Sequence, residues 1–142
     1  MSQGTLTNLG LLLMRIMLAV VFIYHGQSKV FGGIDGFTGY LGQMGVPLPA
    51  VSAWLASLSE LLGGIILLTG IGFRFTLWPV VFTMLVAAFA AHGGTFNVQN
   101  GGMEYPLTLA VMVAGLALVG AGDWSLQRFL PGGKRPTVSR RI

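Results

Sequence analysis

The sequence contains no cysteine and few charged residues. Of its 142 residues, eight are Lys or Arg and four are Asp or Glu. Without cysteine the chain cannot form a disulfide, a thiolate relay or a persulfide intermediate, which excludes a thiol-based membrane oxidoreductase. With 54% hydrophobic residues, the composition is too apolar for a soluble domain of this size. The composition therefore predicts an integral membrane protein whose main partner is the lipid bilayer.

The positive charge is concentrated near the end of the sequence. The formal net charge is +4, and five of the eight basic residues lie from Arg128 onward. In a soluble protein this balance would suggest nucleic acid, but a basic tail after a last membrane span is an orientation signal with anionic headgroups as its partner. We therefore expect no nucleic-acid partner.

Four apolar segments have lengths equal to, or slightly below, the roughly 20 residues that a helix needs to cross a bilayer. They cover residues 6–25, 49–68, 75–91 and 105–119. The first segment contains Arg15 and lacks a small-x-small cleavage site, so we expect a retained span. The pattern predicts an all-α membrane protein, an antiparallel bundle of four transmembrane helices.

The segment between the first two spans has a pattern of its own. Its Phe37, Tyr40, Leu41 and Met44 follow at helical spacing, which predicts a short interfacial or re-entrant helix. We expect one transmembrane domain over residues 1–126 and a basic cytoplasmic tail over residues 127–142. Because basic residues favour the cytoplasmic side, both termini should be cytoplasmic, in a bacterial or archaeal inner membrane.

A polar stripe runs along the first span. Arg15, Leu18, Phe22, His25 and Lys29 follow at spacings of three and four residues, which places them on one helix face. An unpaired charge at bilayer depth costs at least about 2.5 to 3.5 kcal/mol, so this face must contact protein or a water-filled cavity.

Glu60 is the acidic residue expected to pair with Arg15. Counted from the cytoplasmic ends of their spans, both residues lie at a similar depth. A small-residue face around Glu60 would allow a bidentate contact between guanidinium and carboxylate. We predict a structural Arg15–Glu60 ion pair, with a direct role in ligand or proton handling as the alternative.

A second polar cluster is expected at the outer ends of the spans. The predicted catalytic residues are His25, Lys29, His92 and Glu104, with Tyr24, Asn100 and Tyr105 as hydrogen-bonding neighbours. Imidazole, ammonium and phenol groups can donate to carbonyl oxygens and exchange protons, which favours a small-molecule site. The alternative is a cap over the bundle, held either by hydrogen bonds or by a Lys29–Glu104 pair. We expect no metal, because the spacing matches no compact ligand motif.

Phe22 and Phe89 are predicted to line an apolar slot beneath that cluster. Phe89 belongs to an aromatic stripe on the third span, and such a stripe is more often helix packing or lipid contact. If it faces inward, it offers a slot for a quinone ring.

Three stretches of the chain resemble the DoxX family of small four-helix membrane proteins, which is related to the membrane subunit of thiosulfate:quinone oxidoreductase. The stretches are RIMLAVVFIYHGQSKVFGG, SAWLASLSELLGGIILLTG and NGGMEYPLTLAVMVAGLALVGAGDWSL. By position, the family pattern marks Arg15, His25, Gly26, Lys29, Glu60, Gly63, Gly64, Asn100, Gly101, Glu104 and Tyr105. The resemblance implies links to oxidative-stress defence, to sulfur oxidation through a quinone pool and to partner oxidoreductases.

Two functions from different classes follow as hypotheses. The first is a quinone-interacting subunit of an oxidoreductase that is not self-sufficient, since the sequence shows no haem, flavin or iron–sulfur motif. The second is a non-catalytic anchor or assembly factor for a partner oxidoreductase. Transport of a small molecule is a weaker alternative, because four short helices leave little room for alternating access unless the protein forms a homo-oligomer.

The basic tail leads to a testable topology. A tag placed after Ile142 should be protected from protease added to the periplasmic side of intact spheroplasts, and it should become accessible after lysis. A tag that is cleaved in intact spheroplasts would invert the inside and outside assignment of every site residue.

Overall fold

The structure is a computed structural model that describes residues 2–130, and all regular elements in that range are helical. The helices are α1 (Gln3–Ser28), α2 (Ile34–Gln43), α3 (Pro49–Thr69), α4 (Phe73–Thr76), α5 (Trp78–Val86) and α6 (Glu104–Val119). A first π-helical segment, Lys29–Gly33, joins α1 to α2, and a second one, Ala87–Ala91, extends α5. Most of the predicted basic tail, residues 131–142, lies outside the described residues.

Three helical stretches are long and apolar enough to cross a membrane. They are Gln3–Gln43, Pro49–Thr69 and Phe73–Ala91, and α6 is a shorter apolar helix of 16 residues. Many large apolar side chains are exposed on the outside, such as Phe31 at 81% and Phe75 at 85%. An apolar exterior around buried polar groups is what lipid requires. The prediction of an all-helical membrane protein is confirmed.

Helix α1 packs most extensively against α3, and glycines allow the close approach. A Cβ atom on Gly26 would lie 2.5 Å from the backbone nitrogen of Leu61, and one on Gly64 would lie 2.7 Å from Cγ1 of Ile23. Small residues at a helix interface let two backbones come together in this way. The pairs Gly26 with Leu61 and Ile23 with Gly64 show that the two helices run in opposite directions.

Arg15 is buried at the far end of this interface. Its Nε donates to the carbonyl of Leu67 at 2.9 Å and an Nη donates to Leu68 at 3.0 Å, which are carbonyls at the C-terminal end of α3. The other Nη donates to the carbonyls of Ala121 and Trp124, at 2.8 and 2.9 Å. The guanidinium therefore caps α3 and ties the segment after α6 to it.

The predicted Arg15–Glu60 pair is wrong. Helix α1 begins at Gln3 and runs past the C-terminal end of α3, so Arg15 lies level with Leu67 and Leu68. Glu60 lies about two helical turns, or roughly 10 Å, from that level, toward the N-terminal end of α3. The prediction compared the depths of Arg15 and Glu60 by counting from the ends of the apolar segments. This comparison failed because the helices do not begin and end where the apolar segments do.

The core lies between the faces of α1, α3, α5 and α6. Leu18 and Phe22, on the predicted stripe of α1, are 2% and 1% exposed. They belong to a cluster with Leu67, Leu77, Val80, Val113 and Leu116. The stripe therefore faces protein at these positions, as predicted, and its outer end leads to the candidate site.

The glycine contact on α1 gives a matched pair of substitutions. Gly26→Ala should lower the free energy of unfolding in detergent by about 1 to 3 kcal/mol, because the added methyl group would overlap the backbone of Leu61. Gly10→Ala is the control: a Cβ there meets nothing within 4 Å, and alanine favours helix by up to about 1 kcal/mol. Equal effects of the two changes would contradict the close approach of α1 and α3.

Candidate functional site

Lys29 and Glu60 form an ion pair inside the helical assembly. The Lys29 ammonium lies 2.7 Å from Oε1 and 2.6 Å from Oε2 of Glu60. The Glu60 side chain is 4% exposed and the Lys29 side chain 24% exposed. The ammonium also lies 4.7 Å from the centre of the Phe37 ring, which is a cation–π distance. Lys29 therefore connects the start of the first π segment to both α2 and α3.

The ion pair lines a cavity of about 520 Å³ whose wall is mostly apolar. This volume lies within the usual range of small-molecule sites, about 300 to 1,000 Å³. Its polar members besides the ion pair include His25, His92 and Tyr105. We call this space the outer cavity, because much of its lining belongs to the helix ends that the sequence analysis predicts to face outward. The cavity combines apolar walls with a few converging polar groups.

Helix α2 supplies one wall of the outer cavity. The sequence predicted a short helix here, and the structure has one at Ile34–Gln43. The residues that carried the prediction, Phe37, Tyr40, Leu41 and Met44, all line the cavity. The apolar face of α2 therefore faces the cavity that the Lys29–Glu60 pair also lines.

Both π segments border the outer cavity. Lys29 begins the first segment, and His92 follows directly after the second, Ala87–Ala91. A π-helical turn holds one more residue than an α-helical turn and is frequent at functional sites, because it redirects the side chains beside it. Sequence analysis missed both segments. A pair of glycines at or just after each, Gly32–Gly33 and Gly93–Gly94, is the only local signal.

A hydroxyl pair in the cavity wall was also missed. The Ser59 and Thr83 hydroxyl oxygens are 2.8 Å apart and connect α3 to α5. Both residues line the cavity. Small hydroxyl residues also satisfy carbonyls of their own helix, so their presence in an apolar span is not by itself a signal for a site.

His92 has a defined hydrogen bond on one side of its ring. Its Nδ1 lies 2.7 Å from the carbonyl oxygen of Gly101. A carbonyl oxygen only accepts, so Nδ1 carries the hydrogen of this bond. The other ring nitrogen, Nε2, is left as the atom through which His92 can bind a ligand.

Glu104 holds the loop before α6. Its Oε2 accepts a hydrogen bond from the backbone nitrogen of Val98 at 3.1 Å, and Glu104 is not among the residues that line the cavity. The alternative in which Lys29 pairs with Glu104 is therefore wrong, because the Lys29 ammonium binds Glu60. Asn100 lies in a short helical turn of the same loop and is exposed.

The outer cavity brings together six of the predicted site residues: Phe22, His25, Lys29, Glu60, His92 and Tyr105. Tyr24 and Phe89 do not line it, and they are 64% and 62% exposed. The rings of Tyr24 and His25 are nearly perpendicular, with their centres 5.5 Å apart. The exposure of Phe89 agrees with the reading of its stripe as lipid contact.

The sequence model of the DoxX family matches residues 10–93. The chain belongs to the DoxX family. The matched range includes Lys29, Glu60 and His92, whereas Tyr105 lies beyond it. In this DoxX protein the Lys29–Glu60 pair and the second π segment therefore lie within the residues that the family model matches.

Relatives of this DoxX protein match it over nearly their whole length. It is 29% identical over 128 residues to "Putative oxidoreductase CatD" of Bacillus subtilis (strain 168), covering 90% of this chain and 92% of the relative. It is 35% identical over 130 residues to "Inner membrane protein YqjF" of Escherichia coli (strain K12), covering 88% and 95%. "Inner membrane protein YphA" of the same organism is 29% identical over 126 residues, covering 83% and 88%. No solved structure matches the chain significantly.

The ion pair can be tested by a double-mutant cycle. Lys29→Gln and Glu60→Gln should each lower the free energy of unfolding by about 1 to 3 kcal/mol, because each leaves a charge in an apolar environment. The double variant should cost less than the sum, with a coupling of at least about 1 kcal/mol.

The cycle of Arg15→Gln with Glu60→Gln is the matched control. These residues share no contact, so their losses should add to within about 0.5 kcal/mol. Denaturant unfolding in detergent measures both cycles. Additive losses for Lys29 and Glu60 would contradict their pairing.

Proposed function

We propose that this DoxX protein crosses the inner membrane as an antiparallel bundle of four helices and binds a quinone-class ring in the outer cavity. Both termini then lie in the cytoplasm, and α2 lies at the outer interface. The relatives YqjF and YphA are both named as inner membrane proteins. The observation that carries the proposal is the buried Lys29–Glu60 pair in the wall of an apolar cavity of about 520 Å³.

The chemistry of a quinone fits such a cavity. A quinone has an apolar ring and tail with two polar oxygen atoms, so it needs apolar walls and a few hydrogen-bonding groups. The ammonium of Lys29 has three donors, and the two oxygens of Glu60 account for two of them. The third donor of Lys29 and the hydroxyl group of Tyr105 are the groups proposed to bind a ligand oxygen.

Proton exchange is the proposed role of the two histidines. His25 and His92 lie on the cavity, and imidazole is the side chain that gains and loses protons near neutral pH. The electron-carrying group would belong to a partner subunit, since the chain has no motif for one. The relative CatD carries the name oxidoreductase, which supports a redox setting.

The cavity favours ligand binding over a purely anchoring role. A non-catalytic anchor needs only a polar contact that fixes the helices, and Arg15 already provides one at the other end of α3. The Lys29–Glu60 pair also holds helices together, but an anchor has no need of the cavity of about 520 Å³ that this pair lines.

Blocking the outer cavity tests the proposal. Purified protein should contain isoprenoid quinone in near-stoichiometric amount, measured by solvent extraction and mass spectrometry. Ala56→Trp places a large side chain on the cavity wall without changing any charge, and it should lower the quinone content about tenfold or more, the loss expected when about 1.4 kcal/mol of binding is removed.

Leu58→Trp is the matched control on the same helix. Leu58 is 38% exposed and does not line the cavity, so this variant should keep the quinone. A parent protein that folds but carries neither quinone nor quinol, and that binds neither added decylubiquinone nor its quinol, would overturn the proposal.

A further inference from the structure

The direction of the hydrogen bond at His92 determines which kind of ligand group the His92 ring can bind in the outer cavity. Because Nδ1 donates to the Gly101 carbonyl at 2.7 Å, a neutral His92 has a bare Nε2, which can only accept a hydrogen bond. A quinone oxygen is itself an acceptor and gains nothing from this nitrogen. A ring hydroxyl is the group that fits it.

The loop that carries Gly101 is held in place by its own hydrogen bonds. The Gly101 nitrogen donates to the carbonyl of Val98 at 3.0 Å, and the Gly102 nitrogen donates to that of Asn97 at 2.9 Å. Gly101 has a φ of +72°, a conformation that favours glycine. The carboxylate of Glu104 adds a bond to the Val98 nitrogen. The Gly101 carbonyl therefore has a fixed direction toward His92.

The carboxylate in the cavity wall, Glu60, is already occupied. Both oxygens of Glu60 lie within 2.7 Å of the Lys29 ammonium. The charge on this carboxylate is thus compensated before a ligand arrives. Of the two histidines that line the cavity, His25 and His92, His92 is the one whose hydrogen bond leaves a defined ring nitrogen, Nε2, to receive a hydrogen from a neutral ligand, while Lys29 and Tyr105 supply donors.

We propose that the outer cavity selects a phenol or quinol, the hydroxyl-bearing form of the ring, and that its hydroxyl donates to Nε2 of His92. Glu104 is a positioning residue, which acts through the loop and the Gly101 carbonyl to keep the hydrogen of His92 on Nδ1. This inference rests on the proposed function, since it concerns the same cavity.

A pair of compounds that differ in one hydrogen tests the acceptor role. The probes are para-hexylphenol and its methyl ether, para-hexylanisole, with binding measured by calorimetry in detergent at pH 8. The ratio of the affinity for the phenol to the affinity for the ether should be about tenfold higher in the parent protein than in His92→Phe, since one hydrogen bond is worth about that factor. His92→Phe keeps an aromatic ring and should bind the ether as well as the parent does.

The outcomes of this experiment separate the two proposals. If the parent and His92→Phe show the same preference, the acceptor role of His92 is overturned while the cavity remains a binding site. If neither compound binds the folded parent protein, the binding site itself is overturned, and this inference fails with it.

Nitrogen-15 NMR of the His92 ring tests the role of Glu104. At pH 8, where free imidazole is neutral, the parent should show the hydrogen on Nδ1. Glu104→Gln keeps an oxygen that can accept from Val98 and should keep both this signature and the preference for the phenol. Glu104→Ala should give mixed tautomers and a weaker preference. An unchanged tautomer in Glu104→Ala would overturn the positioning role.

Discussion

The burial of Glu60 is the constraint on which the outer cavity depends. A carboxylate in the middle of an apolar helix is costly unless a cation neutralises it, and the cost of leaving it alone amounts to several kcal/mol. Lys29 supplies the cation from beyond the end of α1, so the first π segment and α2 must lie over α3. Because α2 then forms a wall beside the pair, the same contact that neutralises Glu60 also defines the cavity.

Arg15 meets the same constraint in a different way. Among the described residues its hydrogen bonds go to four backbone carbonyls at the end of α3 and after α6. These carbonyls would otherwise lack partners at a helix end, so the guanidinium satisfies them while they solvate its charge. The Arg15 guanidinium is therefore held by backbone carbonyls and lines no part of the outer cavity, whereas Lys29 and Glu60 both line it. This difference is why we place the ligand at Lys29 and not at Arg15.

The sequence was a good guide wherever hydrophobic periodicity decides the structure. The helical stretches follow the apolar runs, and the face of α2 with Phe37 and Tyr40 lies on the cavity. Side-chain partners were predicted less well, for physical reasons. Arg15 binds backbone carbonyls, and because every residue has a carbonyl, the sequence does not indicate which ones it binds. A lysine side chain is long enough to reach several positions, so its partner cannot be inferred from its place in the sequence. The π segments likewise depend on packing more than on residue type.

Photocrosslinking with an azidoquinone, followed by peptide mapping, tests most directly the claim that a quinone-class ring lies beside the Lys29–Glu60 pair. Our account predicts labelling of peptides that line the outer cavity, around Tyr40, Ser59 and Tyr105, and loss of this labelling when excess decylubiquinone competes. Labelling confined to outward-facing side chains such as Phe31 and Phe75, unaffected by the competitor, would contradict it, since it would show only partition of the probe into the surrounding lipid or detergent.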